Sequence, residues 1–463
     1  MTSTLQSGVR FPAYPDREQA GALARWIGCQ RFIYNGKVDE DRLFTAQRRM
    51  LLRDDPTAIV KTPVDNTTAQ FKTELSPWLK EVPSQVLRQA VCRWRTAKQR
   101  QLTGLAKAPR RRNRSNFTSV RLDADMFEFR ETVNTATGEI THELHLGGTG
   151  KFYIGRLRFK AHRAYGLPKM LTISRTGSKW FVSFSYEHES PVILRDSHEL
   201  AFEANLLDNE TLSARTVAFD RNVKDNAFYG SDGSTYMLEA AVLARIERKR
   251  IGIVRYQRQY ARKKKGSNNQ ARMRAKVANR RAYETSCLRD FAHKTSHAIA
   301  SNAAAQVIGL EALKLANMVR RPKAKADPET GKWLRNNRRA KAGLNRALLS
   351  RALGSTVEKL KYKAYRANKL VVFVPAQYSS QECSRCGHTD PGNRHEQRFA
   401  CQRCGFIAHA DFNAATNIKK RTIGMVRSGE LEQAKTPPKR VALRRKTLDT
   451  KGDGNPGLPV ERM

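Results

Sequence analysis

The sequence predicts a multidomain α+β protein, and three patterns along its 463 residues lead to this prediction. Apolar residues recur with helical spacing before residue 105, and with a period of two between residues 119 and 187. Beyond residue 215, short apolar strands alternate with long charged helices, as in a sheet that helices cover. The length allows about two to four domains.

The first 190 residues predict one strand, a helical region and a series of antiparallel strands. Residues 8–12 alternate like a strand, Asp16 is well placed to cap the helix that follows, and further helices are expected over 68–75 and 84–101. Alternating segments from MFEFRE to KWFVSFSYE then predict strands. The run GGTGK at 147–151 lacks the spacing of a phosphate-binding loop and is interpreted as a hairpin turn.

The remainder of the chain predicts buried strands separated by helices. Residues 191–212 are interpreted as a linker, and residues 425–463, which contain few apolar side chains, as a disordered tail. Between these two segments we expect strands at 217–219, 305–310 and 370–375, a helical region over 238–304 broken at 266–267, a loop over 319–342, and a helix over 350–368.

Two Cys-x-x-Cys pairs lie fourteen residues apart near the C-terminal end, at Cys383/Cys386 and Cys401/Cys404. Each pair places two thiolates on one tight turn, and two such turns facing each other form the tetrahedral sulfur cage that zinc prefers. The sequence therefore predicts a zinc ribbon, with two disulfides or two redox motifs as the alternative. Three further cysteines stand singly in helical patterns and are interpreted as small buried apolar residues: Cys29, Cys92 and Cys287.

Three acidic residues occupy positions that suit a metal-dependent active site. Asp220 and Glu311 each end an apolar strand, and Asp411 stands at the start of a helix just after the second cysteine pair. The carboxyl ends of parallel strands converge at one edge of a sheet, and carboxylates suit the two Mg²⁺ ions that can hydrolyse a phosphodiester. Taken singly, each acid also fits a capping or ion-paired role, and Asp411 fits the N-cap of its helix.

The net charge is strongly positive, with 86 lysines and arginines against 43 acidic residues, which gives a formal value of +43. An excess of this size favours a polyanionic partner, of which nucleic acid is the main candidate. Two basic segments are interpreted as phosphate contacts, with a solvated linker as the alternative for the first: Arg110, Arg111 and Arg112, and Lys263, Lys264 and Lys265.

A membrane partner is not expected. No stretch of the sequence approaches 18 consecutive apolar residues, and the first residues lack the apolar core of a signal peptide. We therefore expect a cytoplasmic protein whose thiols are reduced.

Several longer stretches of the sequence resemble a known family. They include YPDREQAGALARWIGCQRFIYN and VPSQVLRQAV near the N-terminus, VAFDRNVKDNAF around Asp220, VIGLEALKLANM around Glu311, and FACQRCGFIAHADFNAATNIKKR around Asp411. In these stretches, and over about residues 8–424, the chain resembles the TnpB family. This family comprises transposon-encoded, RNA-guided DNA nucleases that are related to the compact type V CRISPR effectors. The resemblance implies an RNA-guided DNA endonuclease in which Asp220, Glu311 and Asp411 hold two Mg²⁺ ions and the four paired cysteines hold zinc.

The resemblance also implies a domain organisation and a set of partners. Residues 1–14 and 107–190 would form a wedge-like β-barrel, 15–106 an inserted helical recognition bundle, 213–375 and 411–424 a RuvC-like domain of RNase H fold (α/β), and 376–410 an inserted ribbon that binds target nucleic acid. Gln85 would face the short DNA motif that flanks the target. The implied partners are a guide RNA from the protein's own locus and a double-stranded DNA target, with the chain monomeric on RNA. The implied location is the cytoplasm of a prokaryote, at the nucleoid when bound to DNA.

Two residues depart from the family pattern, and three alternative functions remain. Asn222 stands where glycine is usual, which predicts a crowded turn beside Asp220, and Phe219 replaces a branched residue. A nuclease-inactive, RNA-guided repressor is disfavoured because all three acids are present, and a strand-transfer transposase because the ribbon lies between the second and third acids. Nothing in the sequence separates a transposon-encoded nuclease from a compact type V CRISPR effector.

Overall fold

The computed structural model describes residues 4–59, 67–133, 140–148, 150–190, 192–223, 226–334 and 336–430. The chain forms two compact units, one made largely of residues 8–186 and the other largely of residues 187–430. Residues 431–463, for which we expect disorder, lie outside the described residues. Within the described ranges, no helix is both long enough and apolar enough to cross a bilayer.

In the part of the chain that the structure describes, the first unit contains a strand, two α-helices and six further strands. Their bounds are β1 (Thr4–Tyr14), α1 (Arg17–Asp54), α2 (Ser84–Leu102), β2 (Ser119–Asp123), β3 (Phe127–Val133), β4 (Ile140–Leu146), β5 (Gly155–Phe159), β6 (Met170–Thr176) and β7 (Lys179–Glu189). Helix α1 begins as predicted, because Oδ1 of Asp16 accepts a hydrogen bond from the Gln19 amide at 2.8 Å and the Gln19 side chain accepts one from the Asp16 amide.

The prediction of a helix over residues 68–75 is wrong. Only a single 3₁₀ turn, Ala69–Phe71, forms there. The Ser76 hydroxyl donates to the Phe71 carbonyl and accepts from the Thr73 amide, so the side chain uses backbone groups that a longer helix would need.

The seven strands form one curled sheet in the order β2-β6-β7-β1-β5-β4-β3, with antiparallel pairs. Its edge strands β2 and β3 are joined by only three residues, Ala124–Met126. Their connected ends are therefore at most about 14 Å apart, which requires the sheet to curl. No pairing between described residues of β2 and β3 closes it. The described residues of the wedge-like β-barrel that the resemblance implies thus form an open half-barrel.

The inner face of the curled sheet carries the core of this unit. Leu171 and Ile173 of β6 and Val182 of β7 are fully buried together with Leu23 and Ile33 of α1. Alternation along each strand sends every second side chain inward, as the period of two predicts.

The interpretation of 147–151 as a hairpin turn is confirmed for its described residues 147, 148, 150 and 151, which lie between the paired strands β4 and β5. Gly147 has a φ of +100°, and a side chain there would meet the Phe152 carbonyl at 1.9 Å, so only glycine fits.

The second unit contains eight helices and eight strands among its described residues. Their bounds are α3 (Ser197–Leu206), α4 (Asn209–Ala214), β8 (Thr216–Asp220), β9 (Phe228–Gly230), β10 (Thr235–Tyr236), α5 (Ala240–Ala261), α6 (Asn268–Ser301), β11 (Val307–Glu311), α7 (Leu315–Met318), α8 (Arg338–Ser350), α9 (Leu353–Arg366), β12 (Leu370–Val374), β13 (Arg394–His395), β14 (Arg398–Ala400), β15 (Ile407–His409) and α10 (Ala410–Ser428).

A five-stranded sheet in the order β10-β9-β8-β11-β12 forms the centre of this unit. Strands β8, β11 and β12 are parallel, and β9 runs antiparallel to β8. Phe219 and Leu310 are buried with α6 and α9, whereas Ala218 and Val307 are buried with α3, α4 and α10. Helices therefore cover both faces, which explains why β8 and β11 are buried along their whole length.

Residues 191–212, interpreted as a linker, instead contain α3 and α4. Asp196 forms a capping box with Glu199 at the start of α3, and Asp208 caps α4. Leu200 and Leu212 are buried against the sheet and α10. Only one narrow face of each short helix is covered, so other apolar side chains of this segment, such as Phe202 and Leu206, remain 66% and 72% exposed.

Two further boundaries differ from the prediction. The expected loop over 319–342 ends earlier, because α8 begins at Arg338, and a break at Ala352, with a φ of 53°, separates α8 from α9. Helix α10 continues to Ser428 and buries Val426. The prediction that the disordered tail begins at residue 425 is therefore wrong for residues 425–428.

Gly309 provides a test of how closely α10 packs on the sheet. A Cβ atom at Gly309 would lie 2.2 Å from Oγ1 of Thr422 and 2.9 Å from Cβ of Ala218. We expect Gly309→Ala to destabilise the protein by about 1–3 kcal/mol, because α10 has to shift. Thermal unfolding measured by circular dichroism checks this.

The matched control is Gly424→Ala on α10, where a Cβ would have no neighbour within 4 Å. This change should stabilise the protein by about 0.5–1 kcal/mol, because alanine is the better helix former. Equal effects of the two substitutions would contradict the packing argument.

Candidate active site and metal centre

Asp220 and Glu311 lie at the ends of two adjacent parallel strands. Phe219 of β8 pairs in register with Leu310 of β11, so the residue that follows each of them lies at the same edge of the sheet. The side chains of both acids are almost fully buried, with residues 8% and 6% exposed. The parallel register thus places two carboxyl groups side by side, as the positions of the acids in the sequence predict.

Asp411 joins this pair from the first turn of α10. The helix is capped by His409, whose Nδ1 accepts a hydrogen bond from the Asp411 amide at 3.2 Å. The alternative in which Asp411 is the N-cap is therefore wrong, and its carboxylate is directed elsewhere. That carboxylate accepts from Nδ2 of Asn222 at 2.8 and 3.0 Å and from Nη2 of Arg394 at 3.0 Å. Asp411 is only 1% exposed.

The three acids act on one another electrostatically. Burial, together with the negative charges of Glu311 and Asp411, raises the pKa of Asp220 from 3.8 to about 7. Burial also raises the pKa of Glu311, against the lowering effect of the Ser379 hydroxyl, which donates to it at 2.8 Å, and of nearby arginines. The cluster therefore holds more negative charge than its surroundings neutralise, which is the environment that a cation would stabilise.

Four polar residues that the sequence analysis did not assign to the site support the acids. Arg221 donates to the backbone carbonyl of Glu311, and Ser379 donates to its carboxylate. Asn222 and Arg394 hold Asp411. The crowding expected at Asn222 stays a prediction, and the structure adds that the Asn222 amide reaches Asp411 across 189 positions of the chain. Each of the four contacts an acid at least 17 positions away in the chain, so no local spacing predicts these contacts, and only the departure at Asn222 was visible in the sequence.

The four paired cysteines form a compact cluster that could hold a metal ion. Their sulfur atoms all lie within 4.8 Å of one another, with Cys383 and Cys404 at 3.7 Å and Cys386 and Cys401 at 3.6 Å. Sulfur atoms around a tetrahedral zinc ion with bonds of about 2.3 Å stand about 3.8 Å apart, whereas a disulfide bond is about 2.05 Å. The geometry thus fits a zinc site with four cysteine ligands and does not fit disulfides.

Among the described residues, no other group of three or more cysteines, histidines and acids brings its ligand atoms this close together. The carboxylates of the acidic cluster therefore stand farther apart than the sulfur atoms of this cage. The single cysteines behave as expected at Cys29, which is buried, whereas Cys92 and Cys287 are partly exposed.

Two asparagines connect the cysteine cluster to the helix that carries Asp411. Oδ1 of Asn413 accepts from the Ser384 amide at 2.8 Å, between the first two cysteines, and its Nδ2 donates to the Glu382 carbonyl. Asn417, one turn further along α10, donates to the carbonyls of Ser379 and Glu382. The ribbon and Asp411 are therefore parts of one hydrogen-bonded assembly.

The other residues predicted to bind nucleic acid lie elsewhere on the chain. Gln85 is partly buried near the start of α2, and the exposed loop with Arg110, Arg111 and Arg112 is tied to α1 by an ion pair of Arg111 with Asp39 and by Asn35. The turn between α5 and α6 exposes three lysines, Lys263, Lys264 and Lys265. No described hydrogen bond or ion pair connects these lysines with the acids.

Two family models match parts of the chain. A Cas12f1-like TNB domain matches residues 354–418, which include the cysteine cluster and Asp411. A helix-turn-helix domain, HTH_OrfB_IS605, matches residues 1–40. Within residues 4–40 the structure has β1 and part of the single helix α1, so two helices joined by a turn are not what this segment forms.

The fold and the two sites thus define a mixed α+β, multidomain protein with a four-cysteine cluster and a buried acidic cluster. Over 440 residues the chain is 28% identical to InsQ of Escherichia coli (strain K12), assigned as an RNA-guided DNA endonuclease, and the match covers 93% of this chain and 96% of InsQ. It is 26% identical to a Streptomyces pristinaespiralis protein of the same assignment, with 90% of each covered. These matches confirm the resemblance to the TnpB family.

Two more distant similarities involve Cas12 proteins. The CRISPR-associated endodeoxyribonuclease Cas12f1 of Sulfoacidibacillus thermotolerans is 50% identical over 62 residues, which are 13% of this chain and 15% of that protein. A structure of a Cas12f1–sgRNA–target DNA complex has a TM-score of 0.45 at 10% identity, and covers 90% of this chain and 99% of that one.

The raised pKa of Asp220 predicts how its effect on stability depends on pH. The folded protein binds this proton more tightly than an unfolded chain would, so the stability that Asp220 contributes is complete below about pH 4 and is lost as the pH rises towards about 7. In the presence of EDTA, Asp220→Asn should therefore raise the unfolding midpoint more at pH 8 than at pH 4.5.

The control is Asp290→Asn, which changes an exposed acid on α6. Its effect on the midpoint should be small at both pH values. The argument fails if the difference between Asp220→Asn and the unchanged protein is the same at pH 4.5 and pH 8.

Proposed function

We propose that this protein is an RNA-guided DNA endonuclease that uses a guide RNA from its own locus and hydrolyses DNA with divalent metal ions. The convergence of Asp220, Glu311 and Asp411 in one buried cluster carries the proposal, because their mutual repulsion has no evident structural benefit. Similarity over nearly the whole chain to proteins assigned as RNA-guided DNA endonucleases supports the guide RNA and the DNA target.

The proposed domain assignment follows the resemblance. We assign residues 213–375 and 411–424 to a RuvC-like domain of RNase H fold, extended here to Ser428, with residues 376–410 as an inserted zinc ribbon. Residues 1–14 and 107–190 correspond to the wedge-like part and residues 15–106 to the helical recognition part. Parallel strands that end in acids, with helices on both faces, support the RuvC-like assignment.

The carboxylates of Asp220, Glu311 and Asp411 would hold the Mg²⁺ ions. Carboxylate oxygens are the ligands that this hard cation prefers, and the excess negative charge of the buried cluster fits its binding. When bound, two such ions activate the attacking water and stabilise the leaving oxygen of a phosphodiester.

The chain's own polar residues orient these ligands. Ser379 fixes one oxygen of Glu311, and Arg221 holds the backbone of the same residue. Asn222 and Arg394 together fix Asp411, so the ribbon hairpin that carries Arg394 contributes to the geometry of the cluster. These contacts limit the rotamers of the acids before a substrate arrives, which is a form of preorganisation.

The basic segments would bind nucleic acid through its phosphates. Arg110, Arg111, Arg112, Lys263, Lys264 and Lys265 are exposed, and affinity that rests on such contacts falls steeply with rising salt. We retain Gln85 as a candidate reader of the flanking DNA motif.

Substitutions of the acids test the nuclease assignment. Asp220→Asn or Glu311→Gln should reduce cleavage of a guide-matched DNA on the order of a thousandfold, because metal stabilisation of the transition state is worth several kcal/mol. Binding of guide RNA and target DNA should change by less than about twofold, since neither substitution removes a positive charge. Gel-based cleavage and filter binding measure the two effects separately.

Asp290→Asn serves again as the matched control and should cleave normally. If Asp220→Asn lost binding and cleavage to the same extent, the role of the cluster would be structural and the assignment would be wrong.

The zinc assignment has its own test. We propose one zinc ion per chain at the four paired cysteines, so Cys401→Ser should lower the zinc content well below one per chain, as measured by inductively coupled plasma mass spectrometry. Cys92→Ser, at a cysteine outside the cluster, should leave zinc unchanged. Less than one zinc in the unchanged protein would refute the site.

A compact type V CRISPR effector is the second candidate. The 50% identity to Cas12f1 over 62 residues favours it. Sequencing the RNA that co-purifies with the protein from cells carrying its native locus separates the two: one RNA from the end of a transposon supports the first function, and RNA from a repeat array supports the second.

A further inference from the structure

A cleft of about 850 Å³ lies within the second unit, away from the residues of both sites described above. It is lined by one face each of α5, α6 and α8, together with the loop at Arg321 and Pro322. On α8 the lining residues recur at spacings of three and four, as one helix face requires. Its volume falls within the range of about 300–1,000 Å³ for ordinary ligand pockets.

The charge of the cleft is positive and largely uncompensated. Its two acids, Glu247 and Glu284, both pair with Arg250, at 3.3 and 2.6 Å. Four further arginines line the cleft, and none of them forms an ion pair among the described residues: Arg281, Arg321, Arg338 and Arg346. Guanidinium groups of this kind suit phosphate, which they can bind in a bidentate manner.

Part of the wall is apolar and open to water. Ile251, Val254 and Leu349 line the cleft and are 66%, 50% and 64% exposed. Exposed aliphatic side chains bordered by arginines fit a ligand that has both flat apolar surfaces and negative charge. Unstacked nucleobases on a phosphate backbone have this combination.

One buried acceptor in the wall lacks a partner. Nδ2 of Asn345 donates to the Val319 carbonyl at 2.8 Å, which fixes the orientation of the amide. Its Oδ1 is buried and has no hydrogen bond within the described structure. A small opening of the wall would expose this atom to a ligand donor, such as the ribose 2′-hydroxyl that RNA has and DNA lacks.

We propose that this cleft binds a short single-stranded segment of RNA, with its phosphates on the four arginines and a base or ribose against the apolar wall. The choice of RNA rests on the proposed function, in which the chain carries a guide RNA. The chain's own residues 431–463 are a poor occupant, because they contain eight lysines and arginines against four acids and would be repelled.

The test uses the full-length protein and an oligouridylate that contains 4-thiouridine, together with its deoxy counterpart, each below the protein concentration so that the tightest site is filled first. After irradiation, the cross-linked peptides are mapped by mass spectrometry. We expect RNA cross-links in the peptides that contain Ile251 to Val254 or Asn345 to Leu349, and weaker cross-linking of the DNA probe there.

Paired variants of α8 provide the matched control. Arg338→Ala with Arg346→Ala removes two charges from the cleft, and Arg339→Ala with Lys341→Ala removes two from the same helix outside it. The cleft pair should abolish the cross-links and flatten the dependence of log affinity on log salt by about 1.4, at about 0.7 per lost phosphate contact on single strands. The control pair should keep the cross-links. Unfolding midpoints verify that both variants fold.

Cross-links that avoid the cleft, or that survive the cleft pair, overturn the proposal. Equal cross-linking of the DNA probe overturns the choice of RNA. The proposed function is judged separately, by RNA that co-purifies with the unchanged protein and by guided cleavage. If the protein co-purifies with RNA and cleaves DNA under its guidance, but the cross-links avoid the cleft, only the assignment of the cleft is wrong.

Discussion

The burial of three carboxyl groups at one edge of the central sheet is the constraint on which the rest of the second unit depends. The in-register pairing of β8 with β11 places Asp220 beside Glu311, and α10 packs closely enough at Gly309 to bring in Asp411. Burying like charges together costs free energy, which shows in the pKa of about 7 for Asp220. Natural structures tolerate such a cost mainly where a bound cation or a reaction makes use of it.

The polar residues around the cluster reduce this cost only in part. Arg394 neutralises Asp411, Asn222 helps to orient it, and Ser379 donates to Glu311. The pKa of Asp220 is lowered only by the charge of Arg394 and by one backbone amide. Burial and the two neighbouring carboxylates outweigh both and raise this pKa. The cluster is thus organised to keep its geometry while it retains negative charge.

The cysteine ribbon is integrated with the acidic cluster and is not an independent appendage. Arg394 lies on the ribbon hairpin and contacts Asp411, and Asn413 and Asn417 join the turn of the first cysteine pair to α10. A change in the ribbon, such as loss of its metal, would therefore alter the support of an acid. This physical link gives a reason for the position of the ribbon between the second and third acids of the sequence.

The sequence by itself determined the local features of this protein. Periodicity predicted the strands that end in Asp220 and Glu311, spacing predicted the four-cysteine cluster, and motifs around the acids predicted the family resemblance. These signals suffice because each depends on residues that are neighbours along the chain. Only the tertiary structure decided that residues 197–206 and 209–214 form helices that pack one face against the sheet and α10. It also decided that the first sheet is an open half-barrel and that Asn222 supports Asp411. Those outcomes depend on contacts between residues far apart in the chain, for which no spacing in the sequence provides a signal.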